Sequence, residues 1–122
     1  MYDLVLKNCD LVNENCSSEV DIAIKNQRIE KIASNIDSGS KEVLDCAGKL
    51  VIPGLIDDQV HFREPGLTHK GEIANESKAA IAGGFTSYFE MPNVNPNTST
   101  IDNLNKKFDM ASSRSYANYS FY

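Results

Sequence analysis

The stretch DDQVHFREPG, residues 57–66, ends a predicted strand with polar side chains that a buried strand rarely carries. We predict a strand from about Leu55 to Arg63, starting after the turn at Pro53-Gly54. Side chains alternate along a strand. One face is mostly apolar: Ile56, Asp58, Val60 and Phe62. The opposite face becomes polar toward its carboxyl end: Leu55, Asp57, Gln59, His61 and Arg63.

Burying this polar face without partners would cost several kcal/mol. A metal ion, a bound anion or a dense hydrogen-bond network would remove that cost, which makes the strand end a candidate site. The alternative is an edge strand whose polar face is solvated. The spacing alone does not separate the two interpretations.

The chain after this strand alternates between helical and strand patterns. We predict a helix over residues 71–82 that ends at Gly83-Gly84, a strand in FTSYFEMP, a helix from near Ser99, and a strand in YANYSFY. Ser99 and Asp102 resemble a capping box for the second helix. Its predicted apolar stripe is Ile101, Leu104, Phe108 and Ala111. A βαβαβ order predicts parallel strands, and its incomplete sheet predicts the N-terminal piece of a longer protein.

The first 50 residues have the pattern of a small antiparallel β module. Apolar residues alternate with polar ones in YDLVLKN and VDIAIK, and the segment KNQ predicts a tight turn in which Asn26 has positive φ. The predicted division is therefore residues 1–50 and residues 51–122.

Composition and charge exclude several classes of function. The net charge is −5 with no run of Lys or Arg, which argues against nucleic-acid or anionic-lipid partners. No apolar segment reaches the roughly 20 residues that cross a bilayer, and the N-terminus lacks a signal-peptide pattern. These observations predict a cytoplasmic protein with no membrane partner.

The segments VIPGLIDDQVHFREPGLTHKGEI and AAIAGGFTSYFEMPNVNP resemble the N-terminal signature of dihydroorotases, in the cyclic-amidohydrolase branch of the amidohydrolase superfamily. That pattern is Pro-Gly, Asp-x-His-x-His-x-Arg, Asp/Glu-Pro-Gly and a later Met-Pro-Asn. The resemblance implies an α/β chain with part of a β-sandwich over residues 1–50. Residues 51–122 would then supply the first three strands and two helices of a (β/α)8 barrel.

Matched position by position, the resemblance implies roles for four residues. His61 matches a metal ligand, Arg63 and Asn93 match residues that bind the substrate carboxylate, and Asp57 matches a residue that supports the site. The ordinary alternatives are a structural histidine, a surface ion pair and a turn asparagine. Gln59 stands where the family has a histidine; its amide oxygen is a weaker ligand for Zn²⁺. We assign no chemistry to Glu90, whose position in the predicted strand places it on the face opposite to Asn93.

The resemblance implies reversible cyclisation of N-carbamoyl-L-aspartate to L-dihydroorotate in pyrimidine biosynthesis, with one or two Zn²⁺ ions. No catalytic residue is expected within this chain. The expected partners are the small-molecule substrate and the remainder of the same polypeptide, and a homodimer is compatible with this assignment. Gln59 favours a non-catalytic scaffold for aspartate carbamoyltransferase, whereas Arg63 and Asn93 argue against it. A hydantoinase-like or allantoinase-like enzyme is the other alternative, and its substrate would lack the ring carboxylate that Arg63 binds.

Overall fold

The computed structural model describes residues 1–122, which form two compact units, Met1–Pro53 and Gly54–Tyr122. The first unit is one five-stranded sheet. Its strands are β1 (Tyr2–Asn13), β2 (Cys16–Lys25), β3 (Arg28–Ala33), β4 (Ser40–Asp45) and β5 (Leu50–Val51). The order is β3-β2-β1-β4, with β5 paired to β1. The second sheet of a sandwich is not formed within this unit, so the sandwich stays a prediction.

The prediction that this module is antiparallel holds for β1, β2 and β3 but is wrong for β4 and β5. β1 pairs with β2 in antiparallel fashion but with β4 and β5 in parallel. Alternation of apolar and polar residues predicts which residues form strands. It does not show which strands pair or whether a crossover connection makes a pair parallel. The tight turn between β2 and β3 is confirmed: Asn26 has φ 49° and Gln27 has φ 61°.

The second unit has a three-stranded sheet and two helices. Its elements are β6 (Leu55–Val60), α1 (Ile73–Ala82), β7 (Phe85–Glu90), α2 (Ile101–Ser112) and β8 (Asn118–Phe121). The sheet order is β6-β7-β8, with both pairs parallel, which confirms the predicted α/β class and βαβαβ order. Its core consists of Phe62, Ile73, Tyr88, Ala111, Ala117 and Phe121.

Several element boundaries differ from the prediction; β7 ends at Glu90 and β8 begins at Asn118, each two residues inside the predicted strand. β6 ends at Val60 and does not continue to Arg63: its register against β7 shifts between Asp57 and Val60, and Arg63 has a left-handed φ of 72°, which a strand does not adopt. α1 begins at Ile73 and not at residue 71. The cap of α2 is Thr100, whose side chain accepts the backbone N–H of Asn103. The predicted Ser99 capping box was therefore one residue early.

The apolar stripe of α2 is also partly wrong. Ala111 is buried and Leu104 packs against the core, but Ile101 is 78% exposed. Lys107, which the predicted stripe does not include, is buried on this helix as well as Ala111. No helix of the structure has the length and apolar character needed to cross a membrane.

Candidate functional site

The predicted site residues lie in the loops that follow two neighbouring parallel strands. His61 follows β6 and Asn93 follows β7, and the two strand ends are joined by a hydrogen bond from Met91 N–H to the Val60 carbonyl, 3.0 Å long. His61 Nδ1 lies 2.9 Å from Asn93 Oδ1. Parallel strands end at the same edge of a sheet, which is why residues 32 positions apart meet there.

Backbone contacts hold these two loops together. The N–H of Asn95 donates to the Pro65 carbonyl at 3.0 Å. Gly66 has φ 79°, and a Cβ at this position would lie 2.0 Å from the Asn95 carbonyl oxygen. Both the left-handed backbone and the close approach require glycine. The Pro65-Gly66 turn therefore fixes one strand-end loop against the other.

The hydrogen bond to Asn93 determines which nitrogen of His61 is available. An amide oxygen can only accept a hydrogen bond, so Nδ1 carries the N–H of the neutral ring and donates it to Asn93. Nε2 then keeps its lone pair, and His61 is exposed. Metal-ligating histidines commonly donate their other ring N–H to an acceptor in this way. Asn93 retains its two amide N–H donors for another ligand.

Arg63 lies two residues beyond His61, in a left-handed backbone conformation with φ 72°. Its backbone N–H donates to Glu90 Oε1 at 3.0 Å. The side chain is half-buried, and its guanidinium forms no ion pair with a carboxylate of the chain. The residue therefore offers a cation that is free to bind an anion.

Asp57 and Gln59 interact with each other through the backbone. Asp57 Oδ1 accepts the N–H of Gln59 at 3.1 Å, where the register of β6 shifts. The Gln59 side chain is exposed and hydrogen-bonds to no other group of the chain. The structure thus joins His61 to Asn93 and Asp57 to Gln59, but it brings no second ligand side chain into contact with His61.

A zinc ion normally takes three or four protein ligands. No group of three or more His, Cys, Asp or Glu side chains in this chain has the arrangement to hold a metal ion. Nε2 of His61 fits one coordination position, and the oxygen of Gln59 is a poor second donor for Zn²⁺. These residues alone do not form a zinc site.

A buried ion pair beside this site was not predicted. Glu90 at the end of β7 is 0% exposed, and Lys107 on α2 is 1% exposed. Glu90 Oε2 and Lys107 Nζ lie 3.0 Å apart, without the angles of a hydrogen bond. Burial raises the pKa of Glu90 and lowers that of Lys107, although each charge partly opposes the shift of the other.

Two sequence signals pointed to this pair. Glu90 has the same strand parity as the buried Tyr88. Lys107 lies three residues after Leu104 and four before Ala111, which is the buried phase of the helix.

Glu64 ties the same loop to both helices. Its Oε2 accepts the N–H of Ile73, the first residue of α1, at 2.9 Å. Its other oxygen accepts from Arg114, just beyond α2. Arg114 also approaches Glu72 at 3.4 Å. Glu64 is 5% exposed, so these contacts anchor the residue that directly follows Arg63.

A cavity of about 560 Å³ lies elsewhere, in the first unit. Its acidic lining includes Asp10, which accepts from Ser17, and Asp21, which accepts from Lys7 and two backbone amides. It contains no histidine or cysteine. The histidine and the unpaired arginine therefore lie at the strand ends of the second unit and not in this cavity.

Comparison with known proteins identifies the family. A sequence profile described as Dihydro-orotase-like matches residues 48–117. The chain belongs to this family. The dihydroorotase of Fusobacterium nucleatum subsp. nucleatum is 39% identical over 107 residues, covering 88% of this chain and 25% of that protein. An allantoinase of Desulfitobacterium hafniense (strain Y51) is 41% identical over 122 residues, covering 99% and 27%.

A solved structure of the L-hydantoinase (dihydropyrimidinase) from Arthrobacter aurescens is also similar. It matches with a TM-score of 0.96 and 32% identity, covering 100% of this chain and 28% of that one. The chain thus spans about a quarter of the length of the curated relatives it matches. Family members with different names are similarly close to it, so similarity alone does not select the substrate.

Proposed function

We propose that this chain is the N-terminal part of a dihydroorotase, which cyclises N-carbamoyl-L-aspartate reversibly to L-dihydroorotate in pyrimidine biosynthesis. The observation that carries the proposal is the unpaired guanidinium of Arg63 beyond β6, in the loop that contains His61. A guanidinium suits bidentate binding of a carboxylate. L-dihydroorotate carries a ring carboxylate, whereas the related cyclic amides do not.

Asn93 would contribute to both binding functions of the site. Its Oδ1 interacts with His61, and its amide N–H groups would donate to the same substrate carboxylate as Arg63. His61 would hold Zn²⁺ through Nε2, with Gln59 as a weak oxygen ligand of a second ion and Asp57 as the support of the Gln59 backbone. When bound, zinc lowers the pKa of water and polarises an amide carbonyl.

The remainder of the same polypeptide would complete the site. We assign residues 1–50 to a β-sandwich and residues 51–122 to the start of a (β/α)8 barrel, with three strands and two helices. Support comes from the sheet of the second unit, where apolar side chains are exposed at Leu55, Ile56, Phe89 and Tyr122. A homodimer is compatible with this assignment.

Because the chain supplies one imidazole ligand, we expect residues 1–122 alone to show no hydrolysis of dihydroorotate, even with added zinc. The measurement is ultraviolet absorbance of dihydroorotate, with the full-length protein as the positive control. Turnover by the isolated chain that Arg63→Ala abolishes would contradict the proposed division of the site.

A second candidate is a cyclic amidohydrolase whose substrate lacks the carboxylate. The allantoinase and hydantoinase relatives favour it, since they cover nearly the whole chain. The test is an assay of the full-length protein with dihydroorotate, allantoin and hydantoin, with its metal content measured. Dihydroorotate turnover supports the first proposal, and turnover of the others alone supports the second. No turnover of any of them, with metal-loaded protein, supports the scaffold reading.

A further inference from the structure

The backbone of Arg63 is held in a conformation that non-glycine residues seldom adopt, with φ 72°. The two flanking side chains are buried: Phe62 is 7% exposed and Glu64 is 5% exposed. These neighbours anchor the chain on either side, but neither contacts the Arg63 N–H. The direction in which the guanidinium leaves the chain depends on this local conformation.

The group that satisfies the Arg63 N–H is a carboxylate from another strand. Glu90 Oε1 accepts that N–H at 3.0 Å. Glu90 ends β7, the central strand, where it pairs with Val60 of β6 and Phe121 of β8. An acceptor at this place is fixed by both neighbouring strands.

A purely structural role explains the Glu90–Lys107 pair poorly. Two well-packed apolar side chains usually stabilise a core as well as a buried ion pair does or better. Nζ of Lys107 finds only Glu90 Oε2 at 3.0 Å and the ring of Phe121, whose centroid is 4.8 Å away. An ionised carboxylate does, however, accept a backbone N–H more strongly than a neutral group.

We propose that Glu90 is the positioning residue for Arg63: its carboxylate holds the Arg63 backbone so that the guanidinium meets the substrate carboxylate, and Lys107 provides the counter-charge. This inference rests on the proposed function of Arg63 as the carboxylate-binding residue. Glu90 itself touches no substrate. Its effect appears in the recognition of the carboxylate and not in the chemical step.

Two double variants of the full-length protein test this role. Glu90→Gln with Lys107→Met removes the ion pair but keeps an oxygen that can accept the Arg63 N–H. Glu90→Leu with Lys107→Met removes the ion pair and the acceptor. Each is assayed for thermal unfolding and for KM and kcat with dihydroorotate and with dihydrouracil, the same ring without its carboxylate. Arg63→Ala is the reference variant.

We expect the Leu/Met variant to raise the KM for dihydroorotate about tenfold, since it loses a charge-assisted hydrogen bond, with kcat and the dihydrouracil KM little changed. The Gln/Met variant keeps a neutral acceptor for the Arg63 N–H, so its KM should lie between those of wild type and the Leu/Met variant. Equal KM values for the two variants would overturn the inference. If Arg63→Ala itself leaves the dihydroorotate KM unchanged, the proposed function fails, whereas a rise for Arg63→Ala alone overturns only the role of Glu90.

Glu90→Asp provides a second test if the Leu/Met variant does not fold. It keeps the negative charge in the core but withdraws the oxygens from Arg63 by about 1.5 Å, one carbon–carbon bond. The inference predicts a higher KM for dihydroorotate and an unchanged KM for dihydrouracil. An unchanged dihydroorotate KM in this variant would overturn it.

Discussion

Asp21 in the first unit and Glu90 in the second are both buried carboxylates, 3% and 0% exposed, with a lysine nitrogen 2.5 Å and 3.0 Å away. Asp21 also accepts the backbone N–H groups of Asn8 and Ile36 at 3.0 Å and 2.9 Å. Burial raises its pKa, but the Lys7 hydrogen bond and these two backbone hydrogen bonds together outweigh burial, so the pKa of Asp21 is lowered. For Glu90 burial dominates, and the pKa is raised.

The difference separates a carboxylate whose hydrogen bonds outweigh the cost of burial, Asp21, from one whose hydrogen bonds do not, Glu90. Asp21 satisfies the backbone at the irregular register of β1 and fixes the loop at Ile36. Its lysine is partly exposed, with 27% of the Lys7 side chain reaching solvent. Glu90 and Lys107 have no such access to water. The second unit therefore keeps a costly pair directly beside the candidate site.

The largest expected difference between the two pairs is in the free energy of unfolding when each carboxylate, and then its lysine, is removed. Glu90→Leu leaves Lys107 buried and unpaired, so we expect a loss of about 4 kcal/mol in the free energy of unfolding. Adding Lys107→Met should return most of it. Asp21→Leu should cost about as much, but Lys7→Met should return little, because two backbone N–H groups remain without acceptors. Urea unfolding of the full-length variants measures both cycles; equal recovery would contradict the distinction.

Two glycines, one in each unit, should differ in the stability that is lost when each is replaced by alanine. Gly48 and Gly66 both have positive φ, at 73° and 79°, but a Cβ on Gly48 would meet nothing within 4 Å. Gly48→Ala should therefore cost only the backbone strain, about 1 kcal/mol. Gly66→Ala should cost about 3 kcal/mol, because the Asn95 backbone must also move. Thermal unfolding compares them, and similar losses would mean that the strand-end loops are not tightly joined.

The smallest expected effect is in the pH dependence of stability. The folded-state pKa of Asp21 is lowered, so its contribution is complete above the unfolded value of 3.8 and is lost as pH falls through the folded pKa. Glu90 behaves oppositely: stability decreases as pH rises from 4.5 through its raised folded pKa. Asp21→Asn should flatten the acid limb of the unfolding curve. Glu90→Gln with Lys107→Met should remove the decrease in stability above pH 4.5. If neither variant changes how the free energy of unfolding depends on pH, the pKa shifts of Asp21 and Glu90 are contradicted.

Much of the second unit could be predicted from the sequence, because its order of elements follows from local periodicity and Gly-Gly or Pro-Gly breaks. The placement of His61 and Asn93 at adjacent strand ends also follows from that order. The end of β6 at Val60 could not be predicted, since a shift in register depends on the partner strand. The parallel pairing of β4 and β5 with β1 was missed for the same reason.

Lys107 and Glu90 show a different limit of sequence interpretation. Lysine is almost never fully buried, so its charge predicts a solvated side chain even though Lys107 lies on the buried side of α2. The Glu90 side chain lies in the core, whereas Asn93 lies in the loop beyond the end of β7. What the sequence did not indicate is that a carboxylate in the core reaches the backbone of Arg63 around the end of β6. This contact depends on the pairing of β7 with both β6 and β8, which fixes the position of Glu90.

The measurement that tests the central claim most directly is the substrate preference of the full-length protein with and without the Arg63 guanidinium. We expect wild type to favour dihydroorotate over dihydrouracil in kcat/KM. Arg63→Ala should raise the dihydroorotate KM about 100-fold, as expected for a lost charge-assisted pair worth about 3 kcal/mol, and should leave dihydrouracil unaffected. An unchanged preference in Arg63→Ala would contradict the assignment of this loop as the carboxylate-binding part of a dihydroorotase.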